Sequence, residues 1–375
     1  MIAGFFSIAS FVFVPVDGAL IAYERFSVLK IAELLQKVFV IVFMVIALYT
    51  GFGLFALVFI NGFVGFNIKL FKFLYIRKHA HLQINIGFFD KSLAKELFSF
   101  SSWVFIISIA QRLLVNIVPT ILGIFSGSEQ IAIFSIAITL QSFIWSFAYA
   151  LNGLFLPTVT RMVSRDENRH EVSNLMIKVG RLQLMVIGLL ITGLIVMGKS
   201  FFQLWMGADF IQSYYVLLFL LLPGIVTFSQ EIANTLLFVE NEIKYRAILF
   251  ILASVISVII GILLSPRFGA LGTAVGVGTA MIFCHVIGMN IVYSKVLKLE
   301  IGRFFKSVHL KMTWPLLIAG CLSLLGQKYY HIDSWFSFLI SGAAFVTVYF
   351  VLTWSFVMNK EEKNIVLSLI NKIKS

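Results

Sequence analysis

Eleven stretches of this chain are long enough and apolar enough to cross a bilayer, and that property decides what it can fold into. A hydrocarbon core about 30 Å thick takes roughly 20 helical residues. Runs of that order lie at 2–22, 33–50, 52–74, 98–121, 131–156, 179–198, 212–238, 246–265, 269–293, 312–327 and 335–357. They are continuously apolar, whereas the strands of a membrane barrel alternate, so the fold class predicted is all-α and polytopic. Only 12% of residues are charged, against roughly a quarter in soluble domains, and 60% are hydrophobic, with 40 phenylalanines. A soluble enzyme, a nucleic-acid module and a disordered tail are excluded on that ground. Cys284 and Cys321 fall in apolar runs without metal or disulfide spacing. The first run is long and lacks a basic flank, so it does not read as a cleavable leader.

The net charge of +12 reads as topology. Lys and Arg crowd the connections after the first, third, fifth, seventh and ninth runs and the tail 359–375; the other connections hold only Lys199, Arg267 and Lys328. Basic residues stay on the cytoplasmic side, which predicts a cytoplasmic C-terminus and an external Met1.

Residues 24–53 and 240–269 match at an offset of 216, through Glu24/Glu240, Val42/Val258, Ile46/Ile262, Leu48/Leu264, Phe52/Phe268 and Gly53/Gly269. Both windows hold a charged turn, a span, a tight Phe-Gly turn and the next span, running the same way across the membrane. Parallel repeats are a transporter architecture. The expectation is two six-helix lobes, the first incomplete: 1–76 as three helices of that lobe, 77–97 a cytoplasmic linker, 98–293 the second lobe, 294–358 an added helix pair and 359–375 a tail. On this reading about three helices precede Met1 in the complete protein, and the chain is a fragment.

Tyr23-Glu24-Arg25-Phe26, the string Phe125-Ser126-Gly127-Ser128-Glu129-Gln130-Ile131-Ala132-Ile133-Phe134-Ser135-Ile136-Ala137, and Leu156-Pro157 followed by Arg161 resemble the bacterial polysaccharide or O-antigen flippases of the multidrug/oligosaccharidyl-lipid/polysaccharide exporter superfamily. The resemblance implies a two-lobed transporter of the cytoplasmic membrane that moves a polyprenyl-pyrophosphate oligosaccharide by alternating access. It further implies membrane lipid, a polysaccharide polymerase and glycosyltransferases as partners, with no cofactor and no nucleic acid.

Ionisable groups at membrane depth are costly, by about 2.5–3.5 kcal/mol each on insertion scales, and mark function. Arg112 is central in its run and shares a helical face with Ser108 and Asn116, with Gln111 beside it. A guanidinium offers forked donors to a pyrophosphate; a structural pairing with an acid is the other reading. Ser135, Thr139, Ser142, Ser146, Tyr149 and Gly153 make a polar stripe suited to sugar hydroxyls or to helix packing. Asp17 and Glu231 occupy matching places in the two repeats, each after a proline (Pro15, Pro223), as a coupling group, a partner for Arg112 or interhelical glue. Gly272, Gly276 and Ala280 read as a packing seam, and His285 as a residue held by a structural hydrogen bond. The tail reads either as an amphipathic helix, with Ile365, Val366, Leu369, Ile370 and Ile373 toward lipid, or as a solvated segment.

Two alternatives stand beside flipping. A cation-coupled drug or metabolite exporter of the same superfamily calls for acids lining the passage. A membrane glycan polymerase or ligase calls for a large external site, but the external connections are only about a dozen residues or fewer and hold no nucleophile–base pair.

Overall fold

A computed structural model describes residues 2–80, 90–149, 154–364 and 367–368, and every regular element among them is a helix. Hydrocarbon offers no water to an unmade backbone hydrogen bond, so a spanning segment must satisfy its own. The elements are α1 (Ile2–Phe11), α2 (Val14–Ala22), α3 (Phe26–Tyr49), α4 (Leu54–Ala80), α5 (Lys91–Asn116), α6 (Val118–Phe125), α7 (Ser128–Tyr149), α8 (Leu156–Ser164), α9 (Arg169–Met206), α10 (Ile211–Leu221), α11 (Gly224–Thr227), α12 (Glu231–Val239), α13 (Lys244–Met281), α14 (Met289–Lys295), α15 (Ile301–Phe305), α16 (Lys311–Tyr329) and α17 (Trp335–Leu352).

Eight helices meet the length and hydropathy of a span, and two bent pairs, Gly4–Phe11 with Val14–Ala22 and Ala208–Leu221 with Gly224–Val239, each add one. The run Lys244–Lys295 has 52 residues, about 78 Å if straight, but it reverses at Gly269 (φ 54°, ψ −133°) and supplies two crossings. The chain is therefore an all-α, multi-pass membrane protein with the span order read from its sequence. Several helices overrun the apolar windows, α9 most of all, which begins at Arg169 rather than at 179.

The described residues of Met1–Lys91 and Gly153–Thr158 form one compact unit, and those of Ser92–Asn152 and Val159–Ser375 another. Each contains a span bent by 41° followed by a turn of one design. Tyr23, Glu24 and Arg25 donate backbone N–H groups to Ala19, Ile21 and Leu20; Glu240, Asn241 and Glu242 donate to Leu236, Phe238 and Leu237. Glu24 and Asn241 hold the left-handed position, with φ of 56° and 57°. The two turns thus correspond one residue away from the sequence offset.

In the second unit the Gly269 hairpin closes through its glycine seam, and packing is the role of these residues. A Cβ at Gly276 would lie 3.0 Å from the Ser257 carbonyl oxygen and 3.1 Å from the Gly261 nitrogen, and one at Gly278 2.6 Å from the Phe219 oxygen. The string at 125–137 fastens this hairpin: Ser126 donates to the Ser265 carbonyl (2.9 Å), and Gln130 Oε1 accepts from the Ala270 N–H (2.9 Å). Pro223 has no N–H to continue the helix from α10, and the buried Gln141 side chain donates to the Leu220 carbonyl there (3.2 Å).

These contacts sort the connections of the second unit onto two faces. Ser126 meets Ser265, and Phe201 meets Trp335, all on connections poor in basic residues. On the basic face the extension of α9 is a charged post. Arg169 pairs with Glu240; His170 and Arg303 both hold Glu300 (2.9 and 2.8 Å), with Arg303 also donating to Asn174. Lys178 pairs with Glu361 (2.7 Å). Arg181 is the buried member, donating to both Glu362 carboxylate oxygens (2.5 and 2.9 Å) and to the Ser307 and Val357 carbonyls (3.1 and 2.8 Å). The start of the tail is therefore docked, which neither sequence reading of it foresaw.

Reporters fused near Arg165 and near Lys298 are expected on one side of the membrane and reporters near Lys199 and Arg267 on the other; any mixed result refutes the two faces. Gly276→Val is expected to lower the thermal unfolding temperature in detergent by several degrees, because the added side chain meets backbone. The hydrogen bonds from His170 and then Arg303 hold the Glu300 carboxyl below its ordinary value of 4.5. A depressed carboxylate stabilises above that value and loses the contribution as pH falls through it. Thermal stability of wild type relative to Glu300→Gln is therefore expected to be flat from pH 6 to 8 and to shrink below about pH 4.5.

Candidate functional site

The first unit carries an open pocket of about 500 Å³ with mixed lining: Ser7 and Ser10 of α1, Gln36 of α3, and Asn61, Gly65 and Lys69 of α4, with Phe6 and Met44 among its apolar walls. Asn61, Gly65 and Lys69 recur every fourth residue, which puts them on one helical face. Glycine at 65 leaves room for Gln36, whose Nε2 would lie 3.4 Å from a Cβ there. Lys69 is half-buried and makes no hydrogen bond or ion pair with the described residues. One turn on, Lys72 is buried and donates to Asp17 Oδ1 of α2 at 2.5 Å. A buried ammonium requires such a partner. Asp17 is thus an interhelical counter-ion for Lys72, not a partner of Arg112. Both lysines fall near the end of the run 52–74 and count with the basic connection that follows it. The four-residue spacing from Asn61 was the signal that places Lys69 on a helix face.

In the second unit Arg112, Gln111 and Asn116 are exposed near the end of α5, just before the break at Ile117 and Pro119. Ser108 bonds back to the Val104 carbonyl (2.9 Å), and among the described residues Arg112 has no hydrogen bond or ion pair. The structural pairing weighed above for Arg112 is absent among those residues. The stripe on α7 also faces outward. Thr139, Ser142 and Ser146 donate to the Ser135, Ile138 and Phe143 carbonyls of their own helix, which leaves hydroxyl oxygens as outward acceptors. Ser135 is exposed with them; the side chain of Tyr149 and all of Gly153 lie outside the described residues. Among the described residues the stripe is exposed and its hydroxyls bond only within their own helix. No hydrogen bond joins it to Arg112 among the described residues.

Glu231 opens α12 below the bend, after the 3-10 turn Phe228–Gln230. Arg246 at the start of α13 is the basic group within electrostatic reach of it. Around this pair, Gln230 donates to Asn290 Oδ1 (2.7 Å) and the Tyr293 hydroxyl to Asn234 Oδ1 (2.7 Å), tying spans seven and nine together. His285 sits in the π-helical turn Ile282–Gly288 with its ring 3.9 Å from that of Phe250. Both its ring nitrogens are buried and without a partner among the described residues, which overturns the expected hydrogen bond. Sequence reasoning found Glu231 here but took Arg246 for a topology signal. Deep basic groups are also more numerous than expected: besides Arg112, Lys72 and Arg181 are buried.

The chain is thus a many-span helical membrane protein with polar and cationic faces on several of its helices. A profile of the polysaccharide biosynthesis protein family matches residues 5–215, more than half of the chain, and the chain belongs to that family. No curated protein matches it. Among solved structures, a lipid II flippase, MurJ, in an inward closed conformation is similar, with a TM-score of 0.58 and 17% identity over 85% of this chain. This chain spans 65% of that one, and at such identity the likeness is one of fold.

Asp17→Ala removes the acceptor of a buried ammonium and is expected to destabilise by about 1–3 kcal/mol. The paired change Asp17→Leu with Lys72→Met is expected to restore most of that stability. Thermal unfolding of the purified variants in detergent measures both; equal losses in the single and paired variants refute the ion pair.

Proposed function

We propose that this protein moves a lipid-linked oligosaccharide, joined to its polyprenyl carrier by a diphosphate, from the inner to the outer leaflet of a bacterial cytoplasmic membrane for surface polysaccharide or O-antigen synthesis. The observation that carries the reading is a pair of spans with uncompensated cations amid hydroxyl and amide groups: Arg112 on α5, and Lys69 in the pocket with Ser7, Gln36 and Asn61. A cation favours the diphosphate, and hydroxyl and amide groups suit sugar. Membership in a polysaccharide biosynthesis family and a fold shared with a lipid II flippase support it. A potential negative inside favours outward movement of the anion by about 2.3 kcal/mol per charge per 100 mV. The basic face is cytoplasmic on this reading, with the C-terminus, and the polymerase and glycosyltransferases that supply and consume the substrate are its partners. Glu231, with Arg246 in reach, is the candidate for a coupling cation.

The exporter of cationic compounds is disfavoured because one of the two deep acids it calls for, Asp17, is held by Lys72. The catalytic alternative calls for a large external site, and the external connections hold only about a dozen residues or fewer.

Arg112→Ala and Lys69→Ala are each expected to cut surface polysaccharide at least tenfold at normal protein level in the membrane, in cells lacking the native copy. Arg112→Lys is expected to keep partial activity, because an ammonium still attracts phosphate but loses the fork. Full activity in stably inserted Arg112→Ala and Lys69→Ala proteins refutes the proposal.

A further inference from the structure

The docked tail has the features of a two-state element. Arg181 and Glu362 have side chains only 8% and 3% exposed, and Glu362 is also held by its own turn. Its carboxylate accepts from the Asn359 N–H (2.9 Å) and its own N–H donates to Asn359 Oδ1 (2.8 Å), a reciprocal cap on the tail's first turn. The other two donors of Arg181 go to Ser307 and Val357, which lie in the π-helical turns Lys306–Leu310 and Thr353–Val357. Arg181 thus meets the backbone at a π turn before α16 and at the end of the turn that closes α17.

What the pair holds is α17. Between α17 and the α7–α9 wall lies an apolar cleft of about 410 Å³, lined by Ile144, Gly193, Met197, Phe338, Gly342 and Phe345. At one end of it Trp335 meets Phe201 edge-on and Phe338 meets it at a tilt (6.0 and 5.8 Å between centroids). At the other, the Tyr349 hydroxyl donates to the Met185 carbonyl (3.0 Å), followed by the Arg181 cluster. Between those ends Phe345 is buried against Val196, Met197, Leu316 and Ala319, and the cleft lies beside that contact. A buried ion pair adds little net stability over an apolar pair of the same volume, yet it is all-or-none, and its best-attested use is to fix one arrangement or switch between two.

We propose that the tail is a latch. Glu362 seated on Arg181 holds α17 against α9 and sets the width of the cleft; unseating it lets α17 swing outward about its Trp335 end. The inference is independent of what the protein carries.

The test measures the α9–α17 distance by pulsed electron–electron resonance, with spin labels at Val186→Cys and Val351→Cys in a Cys321→Ser background. Both label sites are exposed. The parent is expected to give one narrow distribution. The paired variant Arg181→Met with Glu362→Leu removes both charges without orphaning either, and is expected to fold and to give a longer, broader distribution. Glu362→Gln, which keeps the amide-compatible contacts and loses the charge, is expected to shift part of the population the same way. An unchanged distribution in the folded paired variant overturns the latch and leaves the ion pair a staple. Failure of both variants to accumulate as folded protein also overturns it, because a latch requires a folded released state.

Discussion

Inside a bilayer a backbone hydrogen bond that is not made within the protein is not made at all, and the rest of this structure follows from that. The constraint turns each apolar run into a helix. It also governs where helices stop being regular. At Pro223 the Leu220 carbonyl loses a helical partner and Gln141 supplies one. In the turns Lys306–Leu310 and Thr353–Val357 the guanidinium of Arg181 performs the same service. The side chains that would otherwise be costly in lipid are thus the ones that make irregular backbone affordable there.

Charge follows the same logic one level up. Lys72 has Asp17 and Arg181 has Glu362, in both cases with short, direct hydrogen bonds. On the basic face, α9 carries Arg169, His170, Lys178 and Arg181 at successive heights and gathers Glu240, Glu300, Glu361 and Glu362 from three other connections. Residues that set orientation during insertion therefore also assemble the second unit. Against that background Arg112 and Lys69 stand out, because neither has a partner among the described residues and both lie on polar helix faces.

The two units share a bent span and the turn that follows it, down to the left-handed Glu24 and Asn241. Similar local geometry from so few shared side chains reflects how little of a membrane helix must be specified. Backbone bonding and an apolar surface fix the helix; only turns and close approaches, such as Gly276 against Ser257, demand particular residues.

The spans and their order were legible in the sequence because hydropathy over about 20 residues is a property of the chain alone. So were the glycine seam and the polar faces around Arg112 and along α7, since helical spacing fixes which residues share a side. Pairing was not legible. Nothing in the string around Lys72 says that it faces Asp17, nor does Arg181 announce Glu362 at the far end of the chain, and both basic residues read as ordinary orientation signals. The pocket at Lys69 was invisible for the same reason, because three helices contribute its walls. Local periodicity determines what each helix presents; only tertiary structure decides what it is presented to, because partners in this fold come from segments distant in sequence that meet only when the helices pack.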